Sequence, residues 1–319
     1  MKRLAELAGL KSGDTLLTGK GEDWFLKDKK RVHLLALGDV GGTLLLGLRL
    51  LGGDCLSQIG IYDIRPDECR RFEMEMNQID LPEKNSGLPP VVILQPEELF
   101  DCDVFLFCAS RGVPPVGTAA GDVRMAQYEA NAGLIRTFAS RAAAGNYRGL
   151  FAVVSDPVDP LCQAAVGCGL DPGRVRGFGL GVMNARARYY AAGDPRYSSY
   201  LTEGEAFGPH GKDLVIANSL TRYDDALSRE LTQLTVEANL RLREIGAKPY
   251  IAPALSSGAL SVLAAVRGQW HYSSGCLGGV SFGSLSRITA AGNERANPEI
   301  PDLLYKRLEN AYEHLKEFH

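Results

Sequence analysis

From Val32 to Ser155 the chain alternates short apolar runs with longer segments whose apolar residues recur every three or four positions. Val32–Leu37 is such a run and ends at a glycine, the pattern of a strand buried on both faces. The spacing predicts a helix over Thr43–Leu51, a strand over Gly60–Asp63 and a helix over Glu68–Asn77. It predicts further strands over Val91–Leu94, Val104–Cys108 and Leu150–Ser155, with a long helix over Met125–Ala144. Strand and helix at this spacing form βαβ units, so the expected class is α/β, with a parallel sheet joined by right-handed crossovers.

Before this region, residues 1–30 read as a short helix over Met1–Leu10 and an irregular arm broken by Gly13, Gly19 and Gly21. After Pro157-Val158-Asp159-Pro160 the alternation gives way to helices over Leu161–Cys168, Val182–Ala192, Tyr223–Ile245, Leu255–Arg267 and Pro301–Phe318, with a glycine-rich strand over Tyr272–Phe282. The expected domains are an arm over 1–30, a nucleotide-binding domain over 31–156 and a substrate domain over 157–319.

Composition bears on partners. Lys+Arg 35 against Asp+Glu 38 gives a net charge of -3, so no basic field favours nucleic acid or an anionic membrane. The leucine-rich stretch from Leu44 to Leu51 is too short to cross a bilayer, and Met1 to Lys20 lacks the apolar core of a secretion signal. Seven scattered cysteines, never spaced as CxxC, suggest reduced thiols in a cytoplasm and neither a disulfide framework nor a metal site.

The turn after the first strand reads Ala36-Leu37-Gly38-Asp39-Val40-Gly41-Gly42. In a dinucleotide fingerprint, glycine lets the backbone approach a pyrophosphate, and the N-terminus of the next helix stabilises its charge. Gly38 and Gly41 hold the second and third glycine places, Ala36 stands at the first, and Asp39 and Val40 lie between. Asp63, 22 residues beyond Gly41, ends the next strand, where a carboxylate accepts from ribose hydroxyls and repels a 2′-phosphate. NAD is therefore expected over NADP, although Arg65 could tolerate a phosphate.

Three more segments become legible beside this turn: Val153-Val154-Ser155-Asp156-Pro157-Val158-Asp159, Asn184-Ala185-Arg186-Ala187-Arg188-Tyr189 and Gly208-Pro209-His210-Gly211. In this order, from about Arg31 to the C-terminus, the chain resembles the L-lactate/malate dehydrogenase family. The resemblance implies a Rossmann-type doubly wound parallel sheet followed by a mixed α/β substrate domain, NAD as cofactor, a small 2-oxo or 2-hydroxy acid as substrate, and a homodimer or homotetramer. It implies that His210 moves the proton, a task suited to a group whose ordinary pKa is about 6.5. Arg186 matches the family arginine that clamps the substrate carboxylate, for which a planar guanidinium fork is apt. Arg124, seven residues before Asn131, matches a loop arginine that polarises the carbonyl, and Asn131 an asparagine of the substrate site near the nicotinamide.

The departures carry as much information. Where the family pairs its histidine with an aspartate three residues before the carboxylate-binding arginine, this chain has Met183, and where the family has asparagine it has Asp156. Asp156 either takes over as the ionic partner of His210 or caps the turn before Pro157; the two readings stand level. Pro114 to Asp122 contains no cation, so no countercharge for a second carboxylate is evident and malate is disfavoured. Two functional readings remain: an L-2-hydroxyacid dehydrogenase, or a degenerate relative that binds NAD(H) as a sensor or scaffold without turnover. The related NAD-dependent glycosidases would need an adjoining Cys-His pair, which this chain lacks.

Overall fold

The structure, a computed structural model, describes residues 2–11, 13–19, 21, 23–82, 87–111 and 123–317, with the side chains of 123–126 outside that description. In chain order the first elements are β1 (Lys2–Arg3), β2 (Thr15–Thr18), β3 (Lys30–Leu35), α1 (Asp39–Leu51), β4 (Leu56–Tyr62), α2 (Pro66–Asn77), β5 (Val91–Ile93), β6 (Val104–Phe107), α3 (Val123–Ala144) and β7 (Leu150–Val153). There follow α4 (Val158–Val166), β8 (Val175–Gly177), α5 (Leu180–Gly193), α6 (Tyr200–Glu203), β9 (Glu205–Phe207), β10 (Val215–Ala217) and α7 (Asp225–Glu244). A π-helical segment (Pro253–Leu260) then runs into α8 (Ser261–Val266), before β11 (His271–Leu277), β12 (Val280–Thr289), β13 (Gly292–Ala296), β14 (Glu299–Ile300) and α9 (Asp302–Lys316).

Six parallel strands lie in the order β5-β4-β3-β6-β7-β8. Counted along the chain this is the doubly wound 3-2-1-4-5-6 order, with its switch between β3 and β6. Helices cover both faces. On one, Leu44, Leu45 and Leu48 of α1 pack with Phe72 of α2 and with Ala259, Val262 and Leu263; on the other, Phe105, Phe107 and Phe151 of the strands meet Ile135 and Ala139 of α3. Burying each such large apolar side chain contributes about 1.5–3 kcal/mol, which fixes the strand ends that carry the site.

The sheet does not stop at its parallel part. β8 pairs antiparallel with β11, which continues through β12 and β13 to β2 at the far edge, giving ten strands. The N-terminal arm is thus built into the sheet: β2 pairs with β13 and β1 with β14. The helix expected over residues 1–10 is a short 3-10 helix, Leu4–Ala8, preceded by β1 and ended by Gly9 at φ +68°. The glycine-rich strand expected over Tyr272–Phe282 is a hairpin, because Gly278 and Gly279 both take positive φ and turn the chain between β11 and β12. The six-strand parallel unit reaches Gly177, beyond the expected domain limit at residue 156. No helix among the described residues is long and apolar enough to cross a membrane.

Candidate active site

The glycine turn links β3 to α1. Ala36 takes φ +77°, a conformation that glycine adopts freely and alanine only at a cost, so the fingerprint's first position keeps its backbone shape without its usual residue. A Cβ on Gly41 would lie 2.0 Å from the Ala36 carbonyl oxygen, so that position admits no side chain. A Cβ on Gly38, the N-cap of α1, would meet nothing within 4 Å, leaving open space over the first-turn amides of Asp39, Val40 and Gly41. Those amides have no acceptor within their own helix, so the turn fits a pyrophosphate. Asp39 places a carboxylate beside this opening, where it is ion-paired to Lys248 at 3.0 Å.

Asp63 braces the same turn. Its Oδ2 accepts from the Leu37 amide at 2.8 Å and its Oδ1 from the Arg65 amide at 2.9 Å. Oδ1 also accepts from Arg65 Nε at 3.4 Å, so Oδ2 is the oxygen that keeps a lone pair for a ribose hydroxyl.

His210 sits in the loop joining β9 to β10, between Gly208 and Gly211, both at positive φ. Its backbone amide donates to Oδ2 of Asp159 at 2.9 Å, and its ring Nδ1 lies 2.9 Å from the Gly179 carbonyl oxygen. A carbonyl can only accept, so Nδ1 carries the hydrogen and Nε2 is the nitrogen left to exchange a proton. Nε2 stands 3.5 Å from Oδ1 of Asp156. Gly179 must be glycine for this packing, since a Cβ there would lie 2.7 Å from the His210 Cβ and 2.9 Å from Cγ2 of Val158. The Gly179 carbonyl also accepts from the Ser257 hydroxyl at 2.7 Å, which in turn receives the Val182 amide at 2.8 Å.

Asp159 is sealed from solvent, and its Oδ1 has no partner in hydrogen-bonding geometry. Burial pushes its carboxyl up, against the opposing pull of the Ser274 hydroxyl and the His210 amide. Sequence reasoning assigned Asp159 no role although it closes the Asp156-Pro157-Val158-Asp159 segment; Gly179 and Ser257 gave no signal of their own.

Asn131 is wholly buried on α3. Its Nδ2 donates to the Asp156 carbonyl at 2.8 Å and to the Ser110 hydroxyl at 3.3 Å, while its Oδ1 accepts from the Arg111 amide at 2.9 Å. Its amide is therefore occupied in fixing the chain around Asp156. Arg186, 8% exposed on α5, donates to Asn239 of α7 and to the Met183 sulfur at 3.5 Å. Burial lowers its pKa, and the nearby Asp156 carboxylate opposes that effect. Met183, where the resemblance implies an aspartate paired with the histidine, thus presents a thioether to this guanidinium. Arg124 falls in α3, but its side chain lies outside the described residues.

A cavity of about 170 Å³ joins these parts. Its wall includes Val40 from the glycine turn, Cys108 and Ser110 after β6, Val154 to Asp156 after β7, Phe178 and Gly179 after β8, and His210. This is the crevice at the carboxyl ends of parallel strands, where α/β sheets of this kind bind their ligands. Arg186 is not part of this wall. A larger groove of about 870 Å³ between the outer ends of α5 and α7 contains none of the expected site residues.

Comparison with known proteins gives the same direction. No family model matches the chain. The L-lactate dehydrogenase of Mesomycoplasma hyopneumoniae is 26% identical over 193 residues, covering 59% of this chain and 58% of that protein. That of Treponema denticola is 28% identical over 194 residues, covering 60% of this chain and 58% of its own length. The chain is thus distantly similar to lactate and malate dehydrogenases in sequence and shares their fold. It spans 58% of the length of these curated relatives. Among solved structures, the minor L-lactate dehydrogenase from Enterococcus mundtii shares the fold with TM-score 0.73 at 19% identity, covering 92% of this chain and 98% of that one. The malate dehydrogenase of Archaeoglobus fulgidus, solved in complex with NADH, aligns with TM-score 0.71 at 18% identity, covering 90% and 98%. Met183 and Asp156 depart from the pattern that the resemblance implies, and Asp156 Oδ1 lies 3.5 Å from Nε2 of His210.

Proposed function

We propose that this lactate/malate dehydrogenase relative is an NAD-dependent oxidoreductase interconverting a small 2-oxo acid and its L-2-hydroxy acid, with a substrate other than malate. The observation that carries this reading is a single cavity walled both by the dinucleotide turn, through Val40, and by His210. In this reading residues 31–156 hold the cofactor, residues 157–319 supply the substrate side, and residues 1–30 brace the sheet edge.

Gly38, Val40 and Gly41 would cradle the pyrophosphate, Asp39 would stand beside it, and Asp63 would hold the adenine-side ribose. Bound NAD(H) supplies or accepts the hydride. The chain's part is the proton. Nε2 of His210 delivers it to the developing alkoxide in reduction and removes it from the hydroxyl in oxidation, while the Gly179 carbonyl fixes the ring through Nδ1. Asp156 stabilises the imidazolium. It also makes charge and binding interdependent: with His210 protonated the pair is neutral and admits an anionic substrate, and with His210 neutral the lone carboxylate repels one. Arg186 binds the substrate carboxylate, and Arg124 polarises the carbonyl.

NADH oxidation measured against a panel of 2-oxo acids tests the proposal; turnover with at least one monocarboxylate and weaker turnover with oxaloacetate is expected. Absence of turnover with every member of the panel counts against it. One observation favours a second reading, binding of NAD(H) without turnover: Arg186 is hydrogen-bonded to Asn239 and Met183 and does not line the cavity. NADH binding seen by fluorescence without turnover selects this reading.

In the same proposal the protein is a cytoplasmic homodimer or homotetramer. The outward Leu46, Leu50 and Leu51 of α1 and Leu260 support self-association, since single-chain surfaces seldom gather exposed leucines in this way. Sedimentation equilibrium reads the state directly.

A further inference from the structure

Two arginines are buried where the parallel strands meet the antiparallel ones, one on β8 and one on β13. Arg176 is 3% exposed and Arg295 4%. Nη1 of Arg176 donates to the hydroxyls of Ser273 at 3.2 Å and Ser286 at 2.9 Å. Arg295 donates to the Phe282 and Gly275 carbonyls, each at 3.0 Å, and to the Ser284 hydroxyl. Every one of these acceptors is neutral, and among the described residues no carboxylate pairs with either guanidinium. Burying an unpaired charge is unfavourable, and here two charges of the same sign are buried together. Desolvation and the charge of Arg295 accordingly lower Arg176 to about 9, and desolvation lowers Arg295 to about 10.

Both side chains line a cavity of about 360 Å³, which shares no residue with the cavity at His210. Gly275 stands between them. A Cβ there would lie 3.3 Å from Nη1 of Arg176 and 3.6 Å from Nη2 of Arg295, so the absent side chain leaves a space that both forks address. The acids at the rim are engaged elsewhere: Asp171 accepts from the Gly173 amide at 2.8 Å, and Glu294 is paired with Arg287 at 2.8 Å. Among the described residues, Nε and Nη2 of Arg176 have no acceptor.

We propose that this cavity is a binding site for a phosphate group, free or carried on a small molecule, held between Arg176 and Arg295 over Gly275. A tetrahedral oxyanion offers acceptors in several directions and so can meet two guanidinium forks at once, supplying the missing countercharge. The site is independent of the proposed dehydrogenase reaction and stands or falls separately.

The test is thermal unfolding of the full chain in inorganic phosphate against chloride at equal ionic strength, with titration calorimetry to count phosphates and glycerol 3-phosphate as a second arm. The unfolding midpoint of the wild type is expected to rise by about 2 °C or more in phosphate. Arg176→Gln should abolish the rise while unfolding at or above the wild-type midpoint in chloride, since it removes a buried unpaired charge. Arg295→Gln serves the same purpose if the first variant does not fold. A larger rise with the ester than with phosphate assigns the site to a phosphorylated small molecule, and an equal rise assigns it to free phosphate. A wild-type midpoint indifferent to phosphate, or a rise kept by the variants, overturns the proposal.

Discussion

Nε2 of His210 faces Oδ1 of Asp156 across 3.5 Å, while Nδ1 of the same ring is held by a carbonyl, that of Gly179. The carboxylate that the family resemblance places behind the ring is missing, and one stands in front of it, toward the cavity. A carboxylate in that position does two opposed things: it pairs with the ring when the ring is charged, and it repels an incoming anion when the ring is neutral.

Asp156→Asn should therefore separate the two kinetic constants. Reduction is expected to lose about tenfold or more in kcat, the usual order for weakening a positioned proton donor, while KM for an anionic 2-oxo acid falls. NADH affinity should not change. Equal kcat and KM in the variant and the wild type would show Asp156 to be a turn cap alone.

Asn131 supplies the support for that carboxylate. Leucine there would strand the Asp156 carbonyl and the Arg111 amide that the side chain now satisfies. Asn131→Leu is expected to cost about 1–3 kcal/mol in denaturant unfolding. No loss would mean that water replaces the amide and the loop does not depend on it.

Ala36 holds φ +77° at the mouth of the cofactor turn. Replacing it by glycine relieves a left-handed alanine, worth roughly 1–2 kcal/mol, against a loss of somewhat under 1 kcal/mol from the freer unfolded chain. Ala36→Gly should thus stabilise the protein by about 0.5–1 kcal/mol, with NADH binding retained. Destabilisation would contradict the strain assigned to this residue.

Glu205 in β9 is mostly buried, its Oε2 has no partner, and burial pushes its carboxyl up to about 7. The unfolded chain ionises this group near pH 4.5. Between these limits the unfolded state releases the proton first, so the residue increasingly disfavours the fold as pH rises from about 4.5 to 7, and its cost is constant above that. Glu205→Gln should stabilise the protein by about 3 kcal/mol at pH 8 and leave it unchanged at pH 4, as read from paired urea titrations. A difference independent of pH would place the effect elsewhere.

The glycine turn, Asp63 and the alternation of strands and helices were legible in the sequence because each is a local pattern. A buried parallel strand needs a short apolar run, and a pyrophosphate turn needs glycines at fixed offsets. β2, β8 and the short β9–β10 pair escaped notice; Arg176 in β8 and Glu205 in β9 break the apolar run that marks β5, β6 and β7. The ten-stranded continuity of the sheet escaped for another reason: β2 is polar enough to read as an arm, and its partner β13 lies more than 270 residues away along the chain.

The local sequence by itself determined the parallel α/β scaffold, the place of the glycine turn, and the residues Met183 and Asp156. Only the tertiary structure decided what faces what. It set Asp156 before Nε2 of His210, turned Arg186 onto Asn239 of a different helix, spent Asn131 on the backbone, and buried Arg176 beside Arg295. Backbone preferences act over a few residues, whereas the environment of a charge is fixed by whichever distant segments the packed core brings against it.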